Sequence, residues 1–272
     1  RGRSVSLAPD EIVMRISSIE KAGYGEVVLT GINISAYNYS GITFSDLLEQ
    51  ILSLDHSIRI RLSSLEADAI DNRLGKLLSH PRICPHFHIP LQSGSDHILQ
   101  LMKRRYTIQK AREAIEILQT AKPGGFLGAD ILTGFPGEKD SDHSLTISLI
   151  KECGFSELHV FRYSPRPGTA AFSYSHRVPE TIKTERSHEL LALSHTLAEE
   201  YHQLWKNREV EVLLEKKMEA PAEEQETYQG LSGNYLKLIV THIPRARAFR
   251  SNRVRCIIKE PGNPGKGKYR EG

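Results

Sequence analysis

Five stretches of this sequence end an apolar run in polar or glycine residues: Thr30-Gly31-Ile32-Asn33, Ser63-Ser64-Leu65-Glu66, Gln92-Ser93-Gly94, Asp130 with Thr133-Gly134, and Tyr163-Ser164-Pro165-Arg166. A strand that only fills a core stops at a turn residue. These stop at hydroxyls, carboxamides and carboxylates set beside glycines, which gives a ligand hydrogen-bonding groups and a backbone it can approach closely. The same glycines, Gly31, Gly94 and Gly134, also suit turns with positive φ, and the two roles are compatible. The chemistry on offer is binding and orientation. No Asp/Glu/Lys set recurs at the strand ends with acid–base spacing, and "LTGFPGE" is not a Gly-Lys-Ser/Thr phosphate loop, so a phosphate-binding metabolic enzyme is disfavoured.

Metal ligation is weakly signalled. Cys84, Cys153 and Cys256 are far apart and form no ligand cluster, so they read as reduced, partly buried thiols. His188, His195 and His202 recur every seven residues on a predicted helix, a spacing of two turns that is too wide for joint ligation and fits a solvated stripe.

The elements that must position the strand ends alternate along the chain. A helix near 9–22 precedes the strand "EVVLTGIN"; "TFSDLLEQILSL" is a helix with Thr43 or Ser45 as N-cap; "IRIRLSSLE", a helix near 69–79 and "FHIPLQSG" follow. Helical periodicity returns at 95–103 and 107–120. "FLGADILTGFPGE" is the fourth strand, "KDSDHSLTISLIKECG" a helix closed by Gly154, and "ELHVFRYSPRPGT" the fifth strand. Alternation of this kind predicts a parallel sheet, and in parallel sheets and barrels ligands bind outside the carboxyl ends of the strands.

From Pro179 to about Arg208 one long helix is expected, with Leu190, Leu193, Leu197, Tyr201 and Leu204 at three-to-four spacing, as for a connector lying along another surface. The remainder alternates apolar and polar residues over strands near 209–215, 234–241 and 252–259, which predicts a small antiparallel β-barrel. The expected divisions are therefore 1–178, 179–207 and 208–272. The formal charge of +3 is uneven: from Ile243 to Gly272 nine Lys or Arg face Glu260 and Glu271, a net of +7. That charge, with Tyr228, Tyr235, Phe249 and Tyr269 expected to be exposed, suits an RNA backbone with bases available for stacking, and Arg245, Arg247 and Arg250 are the candidate phosphate contacts. No run approaches a membrane span and the first twenty residues lack a signal peptide's apolar core, so the expected location is cytoplasmic with no membrane partner; the sequence does not set the oligomeric state.

Six stretches in order, "LTGIN", "IRLSSLEADAID", "HFHIPLQSGSDHILQLMKRRYT", "LTGFPGEKDSD", "HVFRYSPRPGTAA" and "GNYLKL", resemble the radical S-adenosylmethionine methylthiotransferases, which add a methylthio group to hypermodified adenosines of tRNA. The resemblance implies a partial, open α/β barrel of parallel strands followed by a small antiparallel RNA-binding barrel of the TRAM type. It also implies S-adenosylmethionine and two [4Fe–4S] clusters as cofactors of the whole enzyme, and tRNA as partner.

Carried over position by position, the resemblance makes Thr30, Gly31 and Asn33 the neighbours of the methionyl amino group, and Ser63, Ser64 and Glu66 a second cofactor contact. Gln92, Ser93, Gly94, Asp130, Gly134, Phe135, Pro136, Gly137 and Tyr163 complete the expected pocket, near ribose and adenine. Arg104, Arg105, Tyr106 and the turn Arg166-Pro167-Gly168-Thr169 are expected at the substrate mouth. "LTGIN" and "RIRLSSLE" look closer to the threonylcarbamoyladenosine branch than to the isopentenyladenosine branch. The family's cluster-binding C-x-x-x-C-x-x-C is missing, so the expectation is a C-terminal portion, inactive by itself, with a non-catalytic RNA-binding module as the alternative. Two geometric expectations follow. Asn33, Glu66, Gln92, Asp130 and Tyr163 should share one end of the sheet, and the strand holding Val27 to Leu29 should leave an open edge.

Overall fold

The structure, a computed structural model, describes residues 4–218, 225–244 and 252–270. The first unit runs α1 (Pro9–Lys21), β1 (Glu26–Leu29), a hairpin of β2 (Asn38–Tyr39) and β3 (Ile42–Thr43), α2 (Phe44–Ser53), β4 (Arg59–Leu62), α3 (Asn72–Leu78), β5 (His86–Gln92), α4 (Asp96–Leu101), α5 (Ile108–Ala121), β6 (Phe126–Thr133), α6 (Asp140–Cys153) and β7 (Glu157–Arg162). Local chemistry sets several boundaries. Thr43 accepts from the Asp46 N–H while the Asp46 carboxylate accepts from the Thr43 N–H, a capping box that starts α2. Gly154 ends α6 in the left-handed region at φ 62°, where a glycine carries no Cβ penalty.

β1 pairs in parallel with β4, and β5, β6 and β7 form a parallel sheet in that order. The two sheets are joined between β4 and β5. The Ile60 N–H donates to Arg82 O at 2.7 Å, the Cys84 N–H to Ile60 O at 2.9 Å, and the Leu65 N–H to His88 O at 2.9 Å. The order is therefore β1-β4-β5-β6-β7, all parallel. One face buries Ile60, Leu62, Ile89, Leu91, Ala129, Ile131 and Leu158 with helix residues such as Leu48, Ile51, Leu78, Ile115, Leu118, Leu149 and Ile150. Each such Ile or Leu side chain taken from water stabilises the fold by about 1.5–3 kcal/mol before entropy is counted. The inner face, away from the helices, carries Glu26, Arg59, Arg61, His86, His88, Asp130 and His159. Among the described residues β1 pairs with no strand but β4, and Val28 is 53% exposed, so the expected open edge is there.

α7 (Glu180–Leu204) does more than connect. Its Ser194 hydroxyl accepts from the Leu158 N–H and donates to the Leu158 carbonyl, and its Tyr201 hydroxyl donates to Asn234 O in the second unit. That unit is a closed barrel of β8 (Glu209–Lys217), β9 (Gln225–Ser232), β10 (Lys237–Pro244), β11 (Arg253–Glu260) and β12 (Gly265–Tyr269), in the order β10-β12-β11-β8-β9 with β9 closing on β10. The expected antiparallel barrel needs two corrections. The pair β10–β12 is parallel, and β9 and β12 are strands that the alternation of apolar residues does not reveal. In β12 the inward positions are Gly265 and Gly267, where a Cβ would come within 3.2 Å of Leu238 Cδ2 and 2.9 Å of Cys256 Sγ. The barrel interior is too narrow for a side chain at those two positions, so Tyr269 is the one apolar residue of the strand and no alternation shows.

Candidate cofactor and substrate site

The C-terminal ends of the five parallel strands form one rim, as their common direction requires. β1 and β4 end in register at Leu29 and Leu62, β6 and β7 at Thr133 and Arg162. Around this rim Thr30 and Gly31 are exposed, and Ser63, Ser64, Glu66, Gln92 and Tyr163 are half-buried. Among the described residues the side chains of Thr30, Ser63, Ser64 and Gln92 make no hydrogen bond, and the Tyr163 hydroxyl is buried without a partner. Gln92 also sits at φ 66°, at an irregularity in the β5–β6 pairing, a strained backbone for a residue that is not glycine. Glu66 is engaged: both its carboxylate oxygens accept from Arg104 Nη1 at 3.1 Å.

Other expected residues are used by the fold. Gly94 is packed so closely on α6 that a Cβ would lie 2.5 Å from Thr146 Cα, and its N–H donates to Thr146 Oγ1 at 2.9 Å. Ser93 contacts the same hydroxyl and Ser95 donates to Asp142 at 2.6 Å, so the Ser-Gly-Ser run docks a helix. The Asn33 carboxamide accepts from the Ala36 N–H, capping a short 3-10 helix. Gly134, Phe135 and Pro136 are buried under α7. The Gly134 N–H donates to Glu138 at 2.7 Å, Glu138 is held by Arg186 at 2.6 Å, and a Cβ at Gly134 would meet Lys183 Cγ at 2.3 Å. Gly137, at φ 93°, turns the loop back and donates to His176 O. Tyr106 is 6% exposed and its hydroxyl reaches the Pro90 and Leu91 carbonyls, which makes it a core residue and not a mouth residue. Arg105 and the Arg166–Thr169 turn are exposed.

Asp130 lies within β6, opposite His159, and not at the strand end. Its carboxylate Oδ1 is 2.9 Å from His88 Nε2 and 3.3 Å from His159 Nδ1. Burial alone would raise the Asp130 pKa, but the two imidazoles hold it below the ordinary carboxylate value. Four of the five residues expected on one rim are therefore there, and the fifth lies lower on the same face.

Below this trio the inner face closes. Glu26 binds Arg59 at 2.8 Å and Arg61 at 2.7 Å, while Arg61 also donates to the Ser232 and Gly233 carbonyls and Arg59 to Glu211, all on the C-terminal barrel. The Tyr235 ring packs, tilted, on His86 with ring centroids 4.2 Å apart. The barrel thus seals the N-terminal end of the sheet. Burial first, and the Arg61 charge second, push the His86 pKa down to about 3, so it is neutral. Sequence reasoning missed His88, His159, Glu26, Arg59 and Arg61. Their signal is a charged or imidazole side chain at alternate positions of otherwise apolar strands, "EVVL", "RIRL", "HFHIP" and "ELHVF", which marks a second, polar face.

The barrel's aromatics are less exposed than expected. Tyr235 lies at the interface, Tyr228 and Tyr269 pack against the barrel core, and Phe249 lies outside the described residues, as do Arg245, Arg247 and Arg250. Basic residues do line the outside of β11 and β12. Arg255 and Arg270 pair with Glu209, and Lys266 with Glu260, while Lys259 and Lys268 are exposed without an ion-pair partner among the described residues. No helix among the described residues is long and apolar enough to cross a membrane.

The three thiols do not form a cluster site. Cys84 and Cys256 are fully buried in different units with pKa values pushed up to about 12 by burial, and Cys153 lies at the end of α6 with its pKa also raised by burial. An iron–sulfur cluster needs several thiolates converging on one point. This donor set does not fit one.

The sequence is similar to known proteins along most of its length. It is 36% identical over 262 residues to the threonylcarbamoyladenosine tRNA methylthiotransferase MtaB of Treponema pallidum, covering 96% of this chain and 52% of that protein. It is 37% identical over 243 residues to the protein of the same name from Bacillus subtilis, covering 88% of this chain and 54% of that protein. It is 38% identical over 187 residues to the tRNA-2-methylthio-N(6)-dimethylallyladenosine synthase of Endomicrobium trichonymphae, covering 68% and 45%. The chain thus spans about half the length of the curated relatives it matches. Among solved structures, coproporphyrinogen III oxidase (HemN) from Escherichia coli, described as a radical SAM enzyme, superposes with a TM-score of 0.52 at 14% identity, covering 69% of this chain and 45% of that one, a likeness of fold alone. The Radical SAM superfamily model matches residues 1–150, the part that carries β1 to α6, and the chain belongs to that superfamily.

Proposed function

We propose that this chain is the part of a tRNA methylthiotransferase that holds S-adenosylmethionine and receives the RNA, with N6-threonylcarbamoyladenosine as the target nucleoside. The observation that carries this reading is the rim: polar groups without partners at the ends of parallel strands, above a floor sealed by a barrel with a basic outer face. S-adenosylmethionine supplies, when bound and reduced, the radical that takes hydrogen from the target carbon. The chain's own residues bind and orient. Thr30 and Gly31 offer backbone to the amino-acid end of the cofactor; Ser63, Ser64 and Gln92 offer hydroxyls and a carboxamide; Tyr163, with the buried Gly134-to-Gly137 turn behind it, walls the opposite side. Glu66 fixes Arg104 at the opening, and Arg105 with the Arg166–Thr169 turn meets the RNA. Lys259 and Lys268 on the barrel take phosphates.

The superfamily's [4Fe–4S] chemistry finds no thiolate set here, so no step is assigned to it. In the whole enzyme two clusters are expected to be held by residues that are not among these. The test is a chimera. In a Bacillus subtilis strain lacking its own MtaB, the matched segment of that protein is replaced by this chain, and tRNA nucleosides are analysed by mass spectrometry. The expected result is the 2-methylthio derivative of N6-threonylcarbamoyladenosine. A methylthio group on dimethylallyladenosine instead would move the substrate to the other branch, and a stably folded chimera giving neither would overturn the reading.

A further inference from the structure

We propose that His88, Asp130 and His159 form a binding site for a divalent transition-metal ion of the zinc class on the inner face of the sheet. This site is separate from the rim and does not depend on the proposed function. Each ligand comes from a different strand, β5, β6 and β7, and the parallel pairing sets Asp130 directly opposite His159. One ligand atom from each residue lies within 4.8 Å of the others. The Oδ1 of Asp130 is 2.9 Å from His88 Nε2 and 3.3 Å from His159 Nδ1. Two of the three edges thus have the lengths of a coordination polyhedron, and the His88–His159 edge lies within 4.8 Å. Metal–ligand bonds of about 2.0–2.1 Å place neighbouring ligand atoms roughly 3.0–3.4 Å apart in octahedral or tetrahedral geometry.

The surroundings favour a site over a chance contact. Gly128 stands on the same face of β6, two residues before Asp130, and a Cβ there would come 2.9 Å from His88 Nδ1, so only glycine leaves the His88 ring its place. The exposure is graded as an open site requires: the side chain of His88 is 12% exposed, that of Asp130 25% and that of His159 55%. An ion reaches the three atoms from the open side of the face, and its remaining coordination positions turn that way, toward water or a ligand oxygen. Two imidazoles and one carboxylate are the donor set that suits zinc, cobalt(II) or iron(II), whereas calcium and magnesium prefer all-oxygen sites. The imidazole nitrogens now shared with Asp130 take the metal in the tautomer that carries hydrogen on the other ring nitrogen.

The test uses the full chain purified without a histidine tag and freed of metal. Cobalt(II) is titrated with detection of its visible absorption, and zinc bound after gel filtration is counted by elemental analysis. The expected result is one equivalent of either ion, with zinc raising the melting temperature. Asp130→Asn and His159→Gln should each weaken binding at least a hundredfold while circular dichroism shows a folded protein. His195→Gln, at an exposed position of α7 whose expected stripe is broken by the half-buried His202, should change nothing. Less than a tenth of an equivalent in the unaltered chain would overturn the proposal, and so would binding that survives in both folded variants.

Discussion

At the N-terminal ends of β1, β4 and β5 the buried carboxylate of Glu26 holds two arginines, and those arginines reach across to the barrel. At the C-terminal ends of the same sheet, Ser63, Ser64 and Gln92 hold nothing among the described residues. Both ends are rich in polar residues, so composition does not separate them. Partnership does. A buried polar group stabilises the fold only when it is satisfied; at the rim the Tyr163 hydroxyl is buried without a partner, while Ser63, Ser64 and Gln92 are only half-buried and stay free to meet water or a ligand. The floor is built for stability, and the rim keeps its groups free, as the proposed binding role requires.

The largest expected effect breaks the floor. Glu26→Gln leaves Arg61 buried without a carboxylate and Arg59 with only the half-exposed Glu211, and removal of one partner from a buried ion pair costs about 3–5 kcal/mol. Urea unfolding measures it. The matching change at the rim, Ser64→Ala, should stay within about 0.5 kcal/mol. If the two variants lose equal stability, the division between the ends is wrong.

The next effect divides the rim itself. Gly94→Ala drives a methyl group to 2.5 Å from the Thr146 backbone and should cost up to about 3 kcal/mol, because α6 must move. Gly31→Ala meets only the Ile34 side chain, at 3.3 Å, and should be close to neutral. A thermal melt of each variant decides whether Gly94 is a docking residue, as the contact with Thr146 indicates, or has the ligand-facing role proposed for Gly31.

A smaller effect comes from acid. His86 is neutral in the folded chain, with its pKa near 3 against 6.5 for the free side chain, and it faces Arg61, His88 and His159 as well as the Tyr235 ring. The unfolded chain therefore binds a proton that the folded chain refuses. Stability must fall as pH drops through 6.5 and go on falling toward 3. By linkage the loss between pH 7 and pH 5 is about 2 kcal/mol from this one group. Urea midpoints at the two pH values should differ less in His86→Phe, which keeps the ring contacts with Tyr235 and Phe126 but cannot take a proton. An unchanged difference would mean that other histidines set the acid response of the interface.

These cases show how far the sequence could be read. The five parallel strands, their order of appearance and their common rim were legible because parallel strands buried against helices leave apolar runs followed by polar ends. The same pattern could not tell a polar residue waiting for a ligand from one that caps or docks a neighbouring element. Ser93, Asn33 and Gly134 look like Ser63 and Gln92 in the sequence, but their groups are spent on Thr146, Ala36 and Glu138. The partner in each case lies in another segment, or is a backbone group that every residue carries. The inner face was missed for a related reason: Arg59, Arg61, His88 and His159 alternate with apolar residues, which reads as a face turned to solvent, whereas the barrel covers that face at Arg59, Arg61 and His86. β12 was missed because glycine fills its inward positions 265 and 267, which leaves Tyr269 alone to show.

The smallest expected effect sharpens the comparison at a single residue. Gln92 holds a left-handed backbone at φ 66° with its carboxamide unpartnered among the described residues. An L-residue in that region costs roughly 1–2 kcal/mol, while glycine pays no such cost but loses about 0.5–1 kcal/mol through the greater freedom of its unfolded chain. Gln92→Gly should therefore leave stability unchanged or raise it by up to about 1.5 kcal/mol. Gln92→Ala keeps the strain and removes only a carboxamide that contacts nothing, so it should stay within about 0.5 kcal/mol of the parent. Urea unfolding of the two variants beside the parent chain is sufficient. A loss of more than about 1 kcal/mol in both would mean that the Gln92 side chain supports the fold, and the residue would then belong with Ser93 and Gly94 among the packing groups rather than with the rim.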